Sequence, residues 1–215
     1  RLGSTSEGSR SSVCPPGNLS NAAALLQWTA THAPKLGARV YGFELGNELN
    51  TYFNGRAGAA MQAHDLIELG KVRDQYFPSS ALIGPDTHSA AEFQTTGVQW
   101  FGEFAAGVAE AADHLSFRMY ILGQGSKLPI HDLNSVFLNA SILDKGRKGV
   151  EALRTAVPAG HNATLWAGET SSANDGGLSG ATDTYINGFW YLDQLGLLAA
   201  ANVNVFVRQA LVAAG

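Results

Sequence analysis

This sequence predicts an α/β chain that forms part of a (β/α)8 barrel, on three observations. Strand-like and helix-like patterns alternate along most of its length. The strand candidates reach their functional ends at residues 48, 86, 120, 169 and 209, in steps of 38, 34, 49 and 40 residues, each enough for one strand, one helix and two loops. Two of those ends carry a glutamate, Glu48 and Glu169. Acidic groups at separate strand tips converge on one substrate more readily in a closed ring of strands than on a flat sheet.

Residues 1–19 read as a flexible loop, because Gly, Ser and Thr dominate Gly3 to Ser12 and leave nothing apolar to bury. An amphipathic pattern at Asn21 to His32 predicts a first helix. The five strands are expected at Val40 to Leu45, Ala81 to Asp86, Leu115 to Tyr120, Thr164 to Glu169 and Val203 to Gln209. Between the second and third, Val98, Phe101, Ala105, Val108 and Ala112 recur at three- and four-residue steps, the stripe of a helix packed on a sheet. Asp183 to Leu195 reads the same way, with Ile186, Phe189, Trp190 and Leu192 as a broad apolar face, Asp183 as its cap and Gly196 as its stop. Because a helix precedes the first strand, the chain is expected to start after some earlier strand and to end as a late one emerges into a loop.

With 215 residues, 45% hydrophobic and 15% charged, the chain has the apolar material for one substantial core. No apolar run has the length of a membrane span, and the N-terminus lacks the basic-then-apolar layout of a secretory signal. The single cysteine, Cys14, excludes a disulfide framework and a thiolate metal site. Six histidines fall in different elements without the paired spacing of a metal site, so no metal is expected. A net charge of −4 without any Lys/Arg cluster argues against nucleic acid as a partner. Three sequons, at Asn18, Asn139 and Asn162, permit N-glycosylation. They tilt the expected location toward the extracellular matrix or cell wall, or a lysosome or vacuole.

Two glutamates at strand tips are the groups that glycoside hydrolysis requires: one carboxyl to protonate the leaving oxygen, the other to attack the sugar or activate water. In Tyr41 to Glu48 and Thr164 to Glu169 an apolar strand runs straight into the carboxylate. The stretches Phe43 to Asn50, Gly84-Pro85-Asp86, Gly168 to Ala173, Trp190 to Gly196 and Arg208-Gln209 together resemble, in order and spacing, those of glycoside hydrolase family 79, the family of heparanase and related endo-β-glucuronidases. The resemblance runs from about Ser20 to Gly215, and Tyr191 to Gly196 is similar to the plant heparanase-like members in particular.

That resemblance implies a partial barrel of about strands 4 to 8, with residues 20–215 as the C-terminal portion of a glycosidase catalytic domain. Barrel strands 1 to 3 and the family's β-sandwich domain are then to come from outside it, as are the Asn-Tyr residues that follow strand 8 in the family. It further implies retaining cleavage of β-glucuronide linkages without a cofactor, Glu48 acting as acid/base and Glu169 as nucleophile. A glucuronate-containing glycan is the implied partner. Glu48 is expected to have its pKa raised, by burial or by the charge of Glu169, so that it carries a proton. Asn47 matches the residue that bonds the sugar 2-hydroxyl, Tyr120 a donor to the nucleophile, Gly176 a loop glycine whose N–H approaches the uronate carboxylate, and Gln209 a strand-8 substrate contact. Arg208 should point away from Gln209 and be structural.

Two departures from the family pattern stand out. Arg118 replaces a histidine beside the site, where its permanent charge suits a nucleophile and opposes an acid. Asn174-Asp175 adds a negative charge to a loop that is usually neutral in the family. Both leave room for an alternative, a catalytically impaired glycan-binding homologue.

Overall fold

The computed structural model describes residues 17–51, 58–88 and 95–210. Gly3 to Ser12 and Cys14 lie outside them, as does Arg56. The elements run in the order α1 (Ser20–His32), β1 (Gly42–Glu44), α2 (Ala59–Tyr76), β2 (Ala81–Thr87), α3 (Thr95–Val108), β3 (His114–Met119), α4 (Asn134–Phe137), α5 (Ala140–Leu143), α6 (Lys145–Ala156), β4 (Thr164–Thr170), α7 (Asn187–Ala200) and β5 (Val203–Arg208). All four strand pairings are parallel and the sheet order follows the chain, β1-β2-β3-β4-β5, which makes a five-stranded half-barrel.

The strand alternation explains the two faces of this sheet. In β3, Leu115, Phe117 and Met119 are buried in the core, where Phe101 and Phe104 of α3, Leu66 of α2 and Val150 of α6 are buried too. Each such side chain contributes about 1.5–3 kcal/mol by leaving water. His114, Ser116 and Arg118 take the opposite face. At its lower end the rings of Tyr41, His114 and Trp166 stack across β1, β3 and β4, His114 and Trp166 with centroids 4.3 Å apart. His114 also bonds the hydroxyls of Tyr41 at 2.9 Å and Thr164 at 2.8 Å. At its upper end stand the charged groups described below.

The predicted strands are all present, with ends moved by a residue or two. β1 is the shortest, yet its pairing continues past both ends, since Ala81 donates to the Tyr41 carbonyl at 2.8 Å and Leu45 to the Ile83 carbonyl at 3.1 Å. The last helix departs from expectation. It starts at Asn187 after Ile186, with no side-chain cap, and Asp183 closes a preceding turn by accepting from the Gly180 N–H at 2.7 Å and the Ser179 hydroxyl at 3.1 Å. Gly196 does not stop it, because buried Leu198 continues the row of Trp190 and Gln194 at four-residue steps. The face expected at Phe189 and Leu192 is solvent-exposed, being turned away from that row. At the other end of the chain, the Gly17 N–H donates to both Asp65 carboxylate oxygens at 3.0 Å.

Candidate active site

The turn that follows β1 is built around Gly46, whose φ of 137° only glycine adopts without strain. A Cβ there would run into the Pro85 carbonyl. The chain then folds so that the Glu48 N–H donates to the Asp86 carbonyl at 3.0 Å, while Gln62 of α2 holds the Leu45 carbonyl at 2.7 Å. Asn50 clamps the neighbouring β2 loop with two reciprocal bonds to the His88 backbone, of 2.9 and 3.2 Å. Gly46→Ala is therefore expected to cost at least about 1–3 kcal/mol of stability, the usual cost of forcing a side chain into a disallowed backbone region, and to misplace Glu48. Urea unfolding of the variant against the parent measures it; an unchanged midpoint would mean the turn relaxes freely.

The β3 and β4 tips meet through a register shift between Phe117 and Arg118 that sets Arg118 directly beside Glu169. Arg118 is the hub. Its Nε donates to Asp86 Oδ2 at 2.7 Å, its Nη1 lies 3.2 Å from Glu48 Oε1, its Nη2 lies 2.8 Å from Glu169 Oε2, and Nη2 also donates to Asn47 Oδ1. The tips of β1, β2 and β4 thus converge on one guanidinium, and Glu48 and Glu169 stand on either side of it. The Tyr120 hydroxyl donates a hydrogen bond to the other Glu169 oxygen, Oε1. Burial, followed by the Glu169 carboxylate, pushes the Tyr120 hydroxyl well above its ordinary pKa.

Glu48 departs from expectation. Its hydrogen bond from His88, Nδ1 to Oε1 at 2.6 Å, holds its carboxyl below the usual carboxylate range, and that bond together with the charges of His88 and Arg118 outweighs burial. Asp86 behaves oppositely: burial, then the nearby Glu44 carboxylate, push it up to about 6 against the pull of Arg118. Arg118, partly desolvated, has its charge reinforced first by Asp86 and then by Glu169 and Glu48.

An open pocket of about 510 Å3 lies over these groups, and Glu48, Glu169, Tyr120, Gly176, Gln209 and Arg118 all line it. Asn47 joins them through Arg118. The loop after β4 forms its far wall and is backed by the loop after β3, the two locked together where a Cβ at Gly125 would overlap the Gly177 carbonyl and where the Asn174 N–H donates to the Gly123 carbonyl at 2.9 Å. Asp175 and Gly176 sit on that wall in left-handed conformations, φ 53° and 75°. Arg208 does not turn wholly away: it lines the same pocket, donating to the Ser171 hydroxyl at 2.9 Å with its guanidinium 5.5 Å from the Trp190 ring centre. Asn18, Asn139 and Asn162 are exposed and do not line it, lying before α1, at the cap of α5 and in the turn before β4.

Sequence reasoning passed over two residues here. Asp86 was legible as a strand end but not as the anchor of Arg118, and His88, two residues further on, was passed over as a lone histidine. Position at or just beyond the end of a strand was the signal available for both. A larger cavity, about 900 Å3, opens at the other end of the strands beside Tyr41, Arg73 and His114, away from the carboxylates. Among the described residues no group of three His, Cys, Asp or Glu is placed to hold a metal ion, and no helix is long and apolar enough to cross a membrane.

A parallel β/α half-barrel with its ionisable groups gathered at the C-terminal strand ends is the arrangement of β/α-barrel enzymes, and solved structures share the fold. A GH39 β-xylosidase from Caulobacter crescentus superposes with a TM-score of 0.57 at 18% identity, covering 90% of this chain and 39% of that one. An α-L-arabinofuranosidase from Thermotoga maritima gives 0.57 at 18% identity, covering 92% and 42%. Residues 2–196 match "Glycosyl hydrolase family 79, N-terminal domain", and the chain belongs to that family. Its relatives include heparanase-like protein 3 of Arabidopsis thaliana, 28% identical over 91% of this chain and 35% of the relative. Baicalin-β-D-glucuronidase of Scutellaria baicalensis is 33% identical over 80% and 32%, and heparanase of Rattus norvegicus 30% over 92% and 35%. The chain spans about a third of the length of these relatives.

Proposed function

We propose that this chain carries the acid/base and the nucleophile of a retaining glycoside hydrolase that cleaves β-glucuronide linkages in glycans. The observation that supports it best is the single guanidinium of Arg118 between the strand-tip carboxylates of Glu48 and Glu169, at 3.2 and 2.8 Å. Both carboxylates reach one guanidinium, so they stand close enough to act on one glycosidic bond, whereas a separation well beyond about 10 Å would have excluded both retaining and inverting chemistry. In this reading β1 to β5 are barrel strands 4 to 8, and segments outside this chain complete the ring. Glu169 attacks the anomeric carbon to form a glycosyl ester, Glu48 protonates the leaving oxygen, and water then resolves the ester with Glu48 as base. Asn47 meets the sugar 2-hydroxyl, the Gly176 N–H approaches the uronate carboxylate, and Gln209 contacts the substrate. The exposed sequons suit a secreted, lysosomal or vacuolar glycoprotein.

The glycan is taken to be weakly charged apart from its glucuronate. A sulfated polyanion needs clustered cations, and the chain has 14 Lys and Arg against 18 Asp and Glu. The loop from Gly123 to His131 carries Lys127 alone besides its terminal His131, and Asp175 and Asp183 line the pocket. The expected result is that the full-length protein turns over an aryl β-glucuronide, and at matched low salt cleaves a neutral-backbone glucuronide faster than heparan sulfate. Faster heparan sulfate cleavage would refute the charge argument. Absence of all turnover would favour the second reading, a glycan-binding homologue, which has the lowered pKa of Glu48 on its side.

A further inference from the structure

We propose that His88 and Glu48 form one proton-holding pair, in which His88, acting through Glu48, stores the proton that Glu48 hands to the departing sugar oxygen. The inference rests on the acid/base reading of Glu48. Its basis is placement: His88 Nδ1 lies 2.6 Å from Glu48 Oε1, with side chains 31% and 20% exposed. The contact is built rather than incidental. The loop that carries Glu48 and the loop that carries His88 are joined by the Glu48 N–H to Asp86 carbonyl bond and by the paired Asn50 bonds to the His88 backbone.

The charges around the pair make an isolated Glu48 a poor acid. Arg118 from β3 lies 3.2 Å from the same carboxylate oxygen, and both it and His88 favour the ionised form. Asp86 and Glu169 are engaged by Arg118 in turn, Glu44 faces Asp86, and the Tyr120 hydroxyl is committed to Glu169. Asp175, Asp183 and Arg208 are the other charged groups of the pocket. With Glu48 held ionised, the stored proton sits on the imidazole, whose ordinary pKa lies near neutrality.

The step balances without a further reactant. As the bond from the anomeric carbon to the leaving oxygen breaks, the Nδ1 proton of the imidazolium passes to the Glu48 carboxylate and from it to that oxygen, leaving Glu48 ionised, while a Glu169 oxygen bonds to the anomeric carbon. His88 is then neutral. In the second step water loses a proton to Glu48, its oxygen bonds to the anomeric carbon as the ester bond to Glu169 breaks, and the proton returns to His88. The pair titrates as a unit, and its proton is lost in the range of a histidine.

The test is the pH profile of kcat/KM for His88→Gln on an alkyl β-glucuronide, in the full-length protein. If the pair stores the proton, the basic limb falls by about two pH units, the interval between an ordinary imidazole and an ordinary carboxylate. If His88 merely lowers the Glu48 pKa, the limb moves up instead, and an unmoved limb means a structural role; either result overturns the proposal. A second measurement does not depend on turnover or on folding of the His88 variant. The His88 ring, followed by NMR, should titrate at lower pH in Glu48→Gln than in the parent, and equal titration in the two overturns the pair. Activity surviving in Glu169→Gln would instead refute the assignment of Glu169 as nucleophile in the underlying reading while leaving the NMR result intact.

Discussion

Glu169→Gln is expected to abolish turnover of every substrate, activated or not, by roughly 10^4-fold or more, on the order of what loss of a covalent nucleophile costs. Glu48→Gln should behave differently. A nitrophenyl leaving group needs little protonation, so the first step on an activated glucuronide should be nearly spared, while an alkyl glucuronide loses about 10²–10⁴-fold. Removing the acid/base also slows attack by water on the ester, so the activated substrate should show a burst followed by a slow steady state. The amide keeps the volume of each side chain and an oxygen to accept from Arg118, so the fold should survive, which a melting curve checks. A 2-fluoro glucuronyl fluoride should label Glu169, and the mass shift on its peptide reports the retaining ester directly. Equal losses on both substrates in both variants would contradict the division of roles.

The strands were legible because each is a short apolar run bounded by turn residues, and parallel pairing in chain order follows from the helical pattern between them. The strand-tip position of Glu48 and Glu169 was legible for the same reason. The company they keep was not. Arg118 reaches Glu169 because the β3/β4 register slips between Phe117 and Arg118, and no local pattern announces a slip. His88 reaches Glu48 because Asn50 clamps a different loop, a contact spanning 38 residues. The expected rise in the Glu48 pKa failed on that contact, since burial raises an acid only until a donor points at it. The ends of α7 were misread for a related reason: Asp183 and Gly196 are sound local signals, but the burial of Trp190, Gln194 and Leu198 decides where the helix runs.

Asp86→Asn is expected to remove a large pH dependence of stability. Asp86 is 4% exposed, and burial with the neighbouring Glu44 raises its carboxyl from 3.8 to about 6 despite Arg118. The folded chain therefore holds this proton more tightly than the unfolded chain. Its contribution is fully present below the unfolded value near 3.8 and is lost as pH rises through about 6. A gap of about two units corresponds to about 3 kcal/mol, a sizeable share of the stability of a domain. Glu48 acts in the opposite sense, since its lowered pKa gives stability that is lost as pH falls, so the parent's profile is the difference of the two. Asparagine cannot ionise but keeps a carbonyl oxygen for the Arg118 Nε, so it removes the Asp86 slope while preserving the bond. Denaturant unfolding at intervals from pH 4 to 7 should show the parent losing stability relative to Asp86→Asn as pH rises, with most of the divergence below about pH 6.5. Parallel curves would mean that Asp86 is ionised throughout, held by Arg118 as an ordinary ion pair. The hub would then draw a full charge from each of its three carboxylates, and Glu48 would share Arg118 on equal terms with Asp86 and Glu169.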